Sequence, residues 1–581
     1  MVAVSTSSLL RLVAEPARTH RRALAVSCAL SVLQVGAELA RPWPLALAVD
    51  WAIDRDGVPD ALAAVPPALL LVAAGSATLV TSGVVSLLDL GATRTAERTA
   101  ERLGADLRRT VFAHSLRLSL RWHAGTRSAE LVSRLTSDVG RVLDAVTATT
   151  LTLVPDALML VGVVVVLLVL DPWLALLGLL VVPVLAALSL RQRRHVRASQ
   201  GVARAAGGRL STTAADLLRN VGAVQAFGRL DRAVAEFGTA NAEVLRTSST
   251  AVDVETRWTP YADVVLALGA ALVLVAGGLQ VGAGTLTTGG LLVVLGYLRD
   301  LYSPVRALTR LSGVWARAGA SAERVADVLD AEPEGPDAPG ATAAPPLRGT
   351  VELRGVTFGY EPGRPVLRDL DLVLRPGETV CLFGPSGAGK STVLLLLLRL
   401  WDPDAGTLRH DGVDLRRFTR QSVRERIAYV PQDPWLLDAT LAQNVAFGSR
   451  DATRAQVLEA CARTHVDEFV DRLPLRHDTP LGEGGARLSG GQRRRVALAR
   501  AAVSPADLVL LDEPTASLDA VSAAHVVEAV RAATTRRTTL LVTHDPALAQ
   551  LADRVVHVIP SSAAPTGAAA RPETRKEVEP A

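Results

Sequence analysis

The stretch TVCLFGPSGAGKSTVLLLLLRL, residues 379–400, decides how the chain is read. A short apolar run enters a glycine-rich loop and leaves it in a leucine-rich helical pattern, which predicts strand, loop and helix in that order. Gly384–Ser391 matches G-x-x-x-x-G-K-[ST], a loop whose backbone N–H groups turn inward around phosphate oxygens. Gly384, Pro385, Ser386, Gly387, Ala388, Gly389, Lys390, Ser391 and Thr392 are the candidate cradle, and the helix N-terminus adds its partial positive charge. Lys390 and Lys576 are the two lysines among 62 lysines and arginines. A compact ammonium on a slim stem reaches the β- and γ-phosphates through so tight a loop, and a planar guanidinium does not fit. Ser391 is placed to offer its hydroxyl to Mg²⁺.

Two further stretches belong with this loop. ADLVLLDEPTASLD (506–519) reads as a buried strand ending in Asp512 and Glu513. An aspartate at that end can hold Mg²⁺, and Glu513 beside it can polarise an attacking water. LSGGQRRRVALARA (488–501) puts a serine at a helix N-cap, followed by two glycines, and so presents a second anion site. The phosphate loop already occupies one side of a bound nucleotide. Two domains facing head to tail, each lending its LSGGQ to the other's ATP, is the economical arrangement.

Upstream the character of the chain changes. It has 581 residues, 49% of them apolar, and a net charge of +4. The apolar runs of spanning length crowd into residues 22–310. Six spans are expected, at 22–50, 61–91, 148–170, 172–190, 260–281 and 285–308, each near the 20 or so residues that a hydrocarbon core needs. Arginine marks alternate connections: RTHRR before the first span, Arg94 to Arg109 in 92–147, and RQRRHVR opening 191–259. The intervening connections carry one arginine between them, so the Arg-rich ones and both termini are expected in the cytoplasm. This explains the basic balance without a nucleic-acid partner. A signal peptide is disfavoured by the five later spans and the absence of a clear cleavage site. The long segments 92–147 and 191–259 keep a helical pattern, which extends the spans into two hairpins with tips near 115–128 and 216–228. Gln34, Glu38 and Arg41 share one helix face; they read either as an intramembrane Glu38–Arg41 packing pair or as a polar patch in a substrate cavity. Cys28, Cys381 and Cys461 lack metal spacing and read as structural.

Taken together these motifs resemble the ATP-binding cassette (ABC) family, specifically exporter-type half-transporters with six spans ahead of one cassette. The resemblance covers nearly the whole chain. It implies a multi-domain membrane protein: an all-α six-helix transmembrane bundle with long cytoplasmic helical extensions, then an α/β P-loop NTPase domain. It implies that Tyr360 in VTFGYEP stacks on adenine, and that Gln432 in YVPQDPWLL senses Mg²⁺ and the γ-phosphate. Glu483 is similar to the acidic loop ahead of the signature. Ser489, Gly491 and Gln492 resemble trans contacts to the γ-phosphate, Asp519 the loop crossing a dimer interface, and His544 the switch histidine holding γ-phosphate and water. GEGG lacks the arginine common after the acidic residue, and THDP replaces the SHR or THR frequent in exporters.

The expected division is a cytoplasmic N-terminal segment 1–21, transmembrane domain 22–330, linker 331–349, cassette 350–560 and disordered tail 561–581. The implied activity is ATP hydrolysis coupled to alternating access in a homodimer or heterodimer, with ATP and Mg²⁺ as cofactors. The implied setting is the inner membrane of a bacterium, and the implied cargo is hydrophobic or amphipathic. The alternatives are an exporter-fold importer and a non-hydrolysing, ATP-gated regulator.

Overall fold

The computed structural model describes residues 2–54, 58–62, 64–335 and 337–558. The expected disordered tail, with Lys576, lies outside them. The chain divides into two compact units: residues 1–118 with 125–332, and residues 119–124 with 333–581.

The described residues of the first unit form helices and the turns between them. Among the described residues five helices are long and apolar enough to cross a membrane: Arg21–Asp54, Pro67–Ser115, Ser128–Leu170, Pro172–Arg219 and Leu230–Gly282. The uninterrupted helix Pro67–Ser115 has 49 residues and is about 70 Å long, well over twice the hydrocarbon thickness. Its second half carries the arginines, so span and extension are one rod. Short helices Leu120–Gly125 and Val221–Ala226 occupy the two expected tips. Asp171 turns the chain between spans: its backbone is extended and its carboxylate accepts from Leu174 N at 2.8 Å, with Pro172 in the first helical turn.

The sixth expected span does not form one continuous helix. Residues 285–308 are divided between Thr288–Asp300 and the start of Tyr302–Asp330. Pro304 gives the reason, because it has no N–H to donate to the carbonyl four residues back. Glu38 and Arg41 form no ion pair among the described residues. The first helix is held by Trp43 Nε1, which donates to the Tyr297 hydroxyl at 3.1 Å, and by Tyr297, which donates to the Leu39 carbonyl. Tyr297 is fully buried among Val35, Val163, Leu167, Leu174 and Val273. Farther along, buried Asp138 accepts from Ser321 Oγ and Arg324 Nε, both at 2.9 Å, and from Arg141 Nη1 at 3.1 Å. This ties helix Ser128–Leu170 to helix Tyr302–Asp330.

The second unit contains two sheets. Strands β1 (Val351–Phe358), β2 (Leu367–Leu374), β4 (Ala405–His410) and β5 (Val413–Asp414) form an antiparallel sheet in the order β2-β1-β4-β5. Strands β3 (Thr379–Phe383), β6 (Ile427–Val430), β7 (Leu508–Asp512), β8 (Thr538–Thr543) and β9 (Arg554–His557) form a parallel sheet in the order β6-β7-β8-β3-β9. β7 and β8 are buried along their whole length, as central parallel strands covered on both faces must be.

The Pro- and Ala-rich stretch 331–349, expected as a linker, makes hydrogen bonds with the second unit. From Pro333 onward it is laid along the second unit. Arg424 donates to Glu334 at 2.9 Å, Asp337 accepts from Arg420 N at 2.9 Å, and Ala344 N donates to Ser422 Oγ at 2.8 Å. Leu347, 1% exposed, joins the core of the antiparallel sheet.

Candidate functional site

Parallel order places four connections at one edge. β3 ends at Phe383 before Gly384, β6 at Val430 before Gln432, β7 at Asp512 before Glu513, and β8 at Thr543 before His544. Ligands bind such sheets at the carboxyl ends of their strands.

The phosphate loop turns on Gly387 (φ 80°) and Gly389 (φ 87°), a backbone region that side-chain-bearing residues rarely adopt. A Cβ on Gly389 would also strike Leu367 at 2.7 Å. Helix Lys390–Leu397 begins immediately after. Lys390 is 5% exposed, and its ammonium donates to the carbonyls of Gly384 (2.7 Å) and Pro385 (2.9 Å) while standing 3.9 Å from Glu513. Ser391 Oγ donates to Asp512 Oδ1 at 2.9 Å. Burial, opposed by that hydrogen bond, pushes the Asp512 carboxyl above its ordinary value, and the charge of Glu513 adds to the effect. The buried thiol of Cys381, beneath the loop, is pushed up to about 12 by burial.

Glu513 lies at the centre of a polar cluster. His544 Nδ1 is 3.2 Å from its Oε1, and Gln432 Nε2 donates to its Oε2 at 3.3 Å. Its backbone φ is 43°, in the left-handed region, with its N–H donating to Val542 O at 2.8 Å. Tyr360 stands at the mouth, 39% exposed, with its hydroxyl 3.0 Å from Thr392 Oγ1.

A magnesium ion fits this oxygen set. Ser391 and Asp512 already share a hydrogen bond, so their oxygens face a common point, and a cation there would relieve the buried carboxylate. No cluster of three or more His, Cys, Asp or Glu able to hold a metal exists among the described residues. Mg²⁺ takes one or two protein oxygens and fills its sphere with phosphate and water, which is the number that Ser391 and Asp512 offer.

The remaining expected residues lie apart. Ser489 caps helix Gly490–Val503: it accepts from Gln492 N at 3.3 Å while Gln492 Oε1 accepts from Ser489 N at 2.8 Å. Buried Gly491 packs against Ser522. Asp519 caps Ala520–Thr534 by accepting from Ser522 N at 2.9 Å, which lowers its carboxyl pKa. Glu483, exposed, opens the turn Glu483–Gly485, whose last residue is buried. Among the described residues no hydrogen bond or ion pair joins the LSGGQ segment to the phosphate loop or to Glu513.

Two contributors escaped sequence reasoning. Asp545, noted only as a departure, accepts from Thr515 Oγ1 at 2.8 Å and from Ala547 N at 2.9 Å. It thereby fastens the His544 turn to the turn after Glu513. Trp401 packs edge-on to Tyr360, with ring centroids 5.2 Å apart; a tryptophan at the turn Asp402-Pro403 was the available signal.

The family described as ABC transporter transmembrane region matches residues 24–305, and the ABC transporter family matches residues 367–516. A fatty acid ABC transporter ATP-binding/permease protein of Mycobacterium bovis is 35% identical over 468 residues, covering 80% of this chain and 73% of that one. The chain belongs to the ABC transporter family. An ATP-dependent lipid A-core flippase of Chromobacterium violaceum is 34% identical to this ABC transporter over 454 residues, covering 78% and 77% of the two chains. A solved bacterial Atm1-family ABC exporter with ATP bound covers 93% of each chain at a TM-score of 0.77 and 27% identity.

Proposed function

We propose that two copies of this ABC transporter bind two ATP between their cassettes and export a hydrophobic or amphipathic molecule from the cytoplasm. The observation that carries this reading is the meeting of Lys390, Ser391–Asp512 and the Glu513–His544–Gln432 cluster at one sheet edge, in a chain that also carries the membrane helices. The cargo class draws on the relatives, whose names specify fatty acids and lipid A-core. Retention of both the Glu513–His544 pair and LSGGQ favours a homodimer with two working sites. In this reading residues 22–330 are the permease, with 285–308 as its sixth, interrupted span. Residues 350–560 are the cassette, and the arginine distribution puts both termini on the cytoplasmic side of the bacterial inner membrane.

The residues divide the work as follows. Tyr360 stacks the base. The N–H groups of Gly384–Thr392 surround the β- and γ-phosphates, and Lys390 transfers its two hydrogen bonds from loop carbonyls to phosphate oxygens. Ser391, Asp512 and Gln432 hold Mg²⁺, which supplies neutralisation of the charge developing on the transferred phosphoryl group. Glu513 orients a water and accepts its proton, while His544 holds the γ-phosphate side of that water. Ser489, Gly491 and Gln492 of one protomer close over the γ-phosphate of the other, and Asp519 lies at that interface. ATP favours the closed dimer because only there do both segments contact γ-phosphate. Closure reaches the permease through the tips at Leu120–Gly125 and Val221–Ala226.

The test is ATP turnover by the purified chain in lipid, beside Glu513→Gln. Loss of about 100-fold or more in turnover with ATP binding retained is the expected result. Stimulation by acyl-bearing amphiphiles, followed by their uptake into inside-out vesicles, tests cargo and direction. Equal turnover by the two proteins overturns the assignment of Glu513.

A further inference from the structure

Segment 119–124 folds with the second unit, and Arg121 of that segment reaches the base-stacking end of the site. The guanidinium of Arg121 lies 5.1 Å from the Trp401 ring centroid. Trp401 in turn contacts Tyr360 (5.2 Å) and Phe358 (5.6 Å), and Phe358 contacts Tyr360 (5.1 Å), all edge-to-face. Phe358 is 1% exposed and fixed at the end of β1. The three rings therefore form a closed set in which Tyr360 cannot tilt without moving Trp401.

We propose that Arg121, Trp401 and Tyr360 form a relay through which a purine base on Tyr360 is felt in segment 119–124. The inference rests on the reading of Tyr360 as the base-stacking residue. A base laid on the free face of Tyr360 holds that ring flat and so holds Trp401 in the orientation that presents its face to Arg121. The contact is weak enough to break. The indole N–H of Trp401 is buried with no hydrogen-bond partner among the described residues, so the cation above the ring is the ring's polar contact toward this segment. A cation–π contact is a weak one, so a modest change at Tyr360 shifts it. Linkage then requires reciprocity: if the base tightens docking of Arg121, Arg121 tightens binding of the base by the same factor. Arg121 and Trp401 are positioning residues; neither touches nucleotide.

The experiment is a double-mutant cycle on ATP affinity with the full chain in nanodiscs, using Arg121→Gln, Tyr360→Ala and the combination. Arg121→Gln is expected to weaken ATP binding about three- to tenfold alone and to have no further effect beside Tyr360→Ala. Arg121→Lys, which keeps a cation, is expected to restore affinity. A second readout is tryptic cleavage at Arg117 and Arg127 under saturating ATP. ATP is expected to slow it severalfold in the unaltered protein and not in Trp401→Leu. Multiplicative effects in the cycle, or ATP protection unchanged by Trp401→Leu, overturn the relay while leaving the transport reading intact. Failure of the unaltered protein to bind ATP overturns both.

Discussion

Lys390 carries the most specific chemistry of any single residue. Its ammonium is enclosed, with two carbonyls within 2.9 Å and Glu513 at 3.9 Å. Lys390→Arg keeps the charge but needs room for a planar fork. We expect it to lower ATP turnover by about 100-fold or more, measured beside a thermal-unfolding scan that shows the fold retained. Asp545 belongs to the same scale. Without its bond to Thr515 the His544 turn loosens, so Asp545→Ala is expected to reduce kcat about tenfold with KM for ATP changed less than about twofold. Steady-state kinetics in lipid reads that split. The sequence displayed Lys390 plainly, because its spacing from Gly384 and Gly389 is the signal. It hid Asp545, whose partner Thr515 lies 30 residues away in another connection.

At the scale of elements, membrane helices and phosphate loop were legible for opposite reasons. A span is a composition over some 20 residues, and a phosphate loop is an ordered spacing over eight; both are local. What was not legible needed a partner in space. The stretch 331–349 has the composition of a tether, and partners distant in sequence, Arg424, Arg420, Ser422 and Asp507 among them, lay it along the second unit. The interruption after Asp300 was readable in principle from Pro304, yet the apolar run on either side masked it. The edge of the parallel sheet supplies a pH test. Glu378 is partly buried, which raises its pKa, but Arg554 Nε at 2.7 Å and Arg375 N at 2.9 Å prevail and hold it below its ordinary 4.5. A depressed carboxyl stabilises the fold above its unfolded pKa and loses that contribution as pH falls through the folded value. Glu378→Gln is therefore expected to lower the cassette's melting temperature at pH 7. The gap should shrink as pH falls below 4.5, read by scanning calorimetry at a series of pH values.

At the scale of the whole molecule, the proposed function pairs two copies, so that each LSGGQ serves its partner's phosphate loop. If the sites are composite, Glu513→Gln and a signature variant such as Gly491→Asp are each inactive, yet complement one another. In a mixed dimer one site receives both lesions and the other receives none. Coexpression of the two is expected to restore roughly a quarter of the intact sites, measured as ATP turnover of the purified mixture. Sites complete within one chain would give none.

The left-handed backbone at Glu513 has a consequence beyond catalysis. A residue with a Cβ held at φ 43° costs on the order of 1–2 kcal/mol relative to glycine there. Under the proposed function, replacement of Glu513 by glycine would end turnover while releasing this backbone strain. After a gene duplication, the mutational step that silences one of two cassettes would be eased by the backbone, against the loss of the contacts with His544 and Gln432. Asymmetric pairs, with one firing site and one latch, are within a single substitution of this sequence.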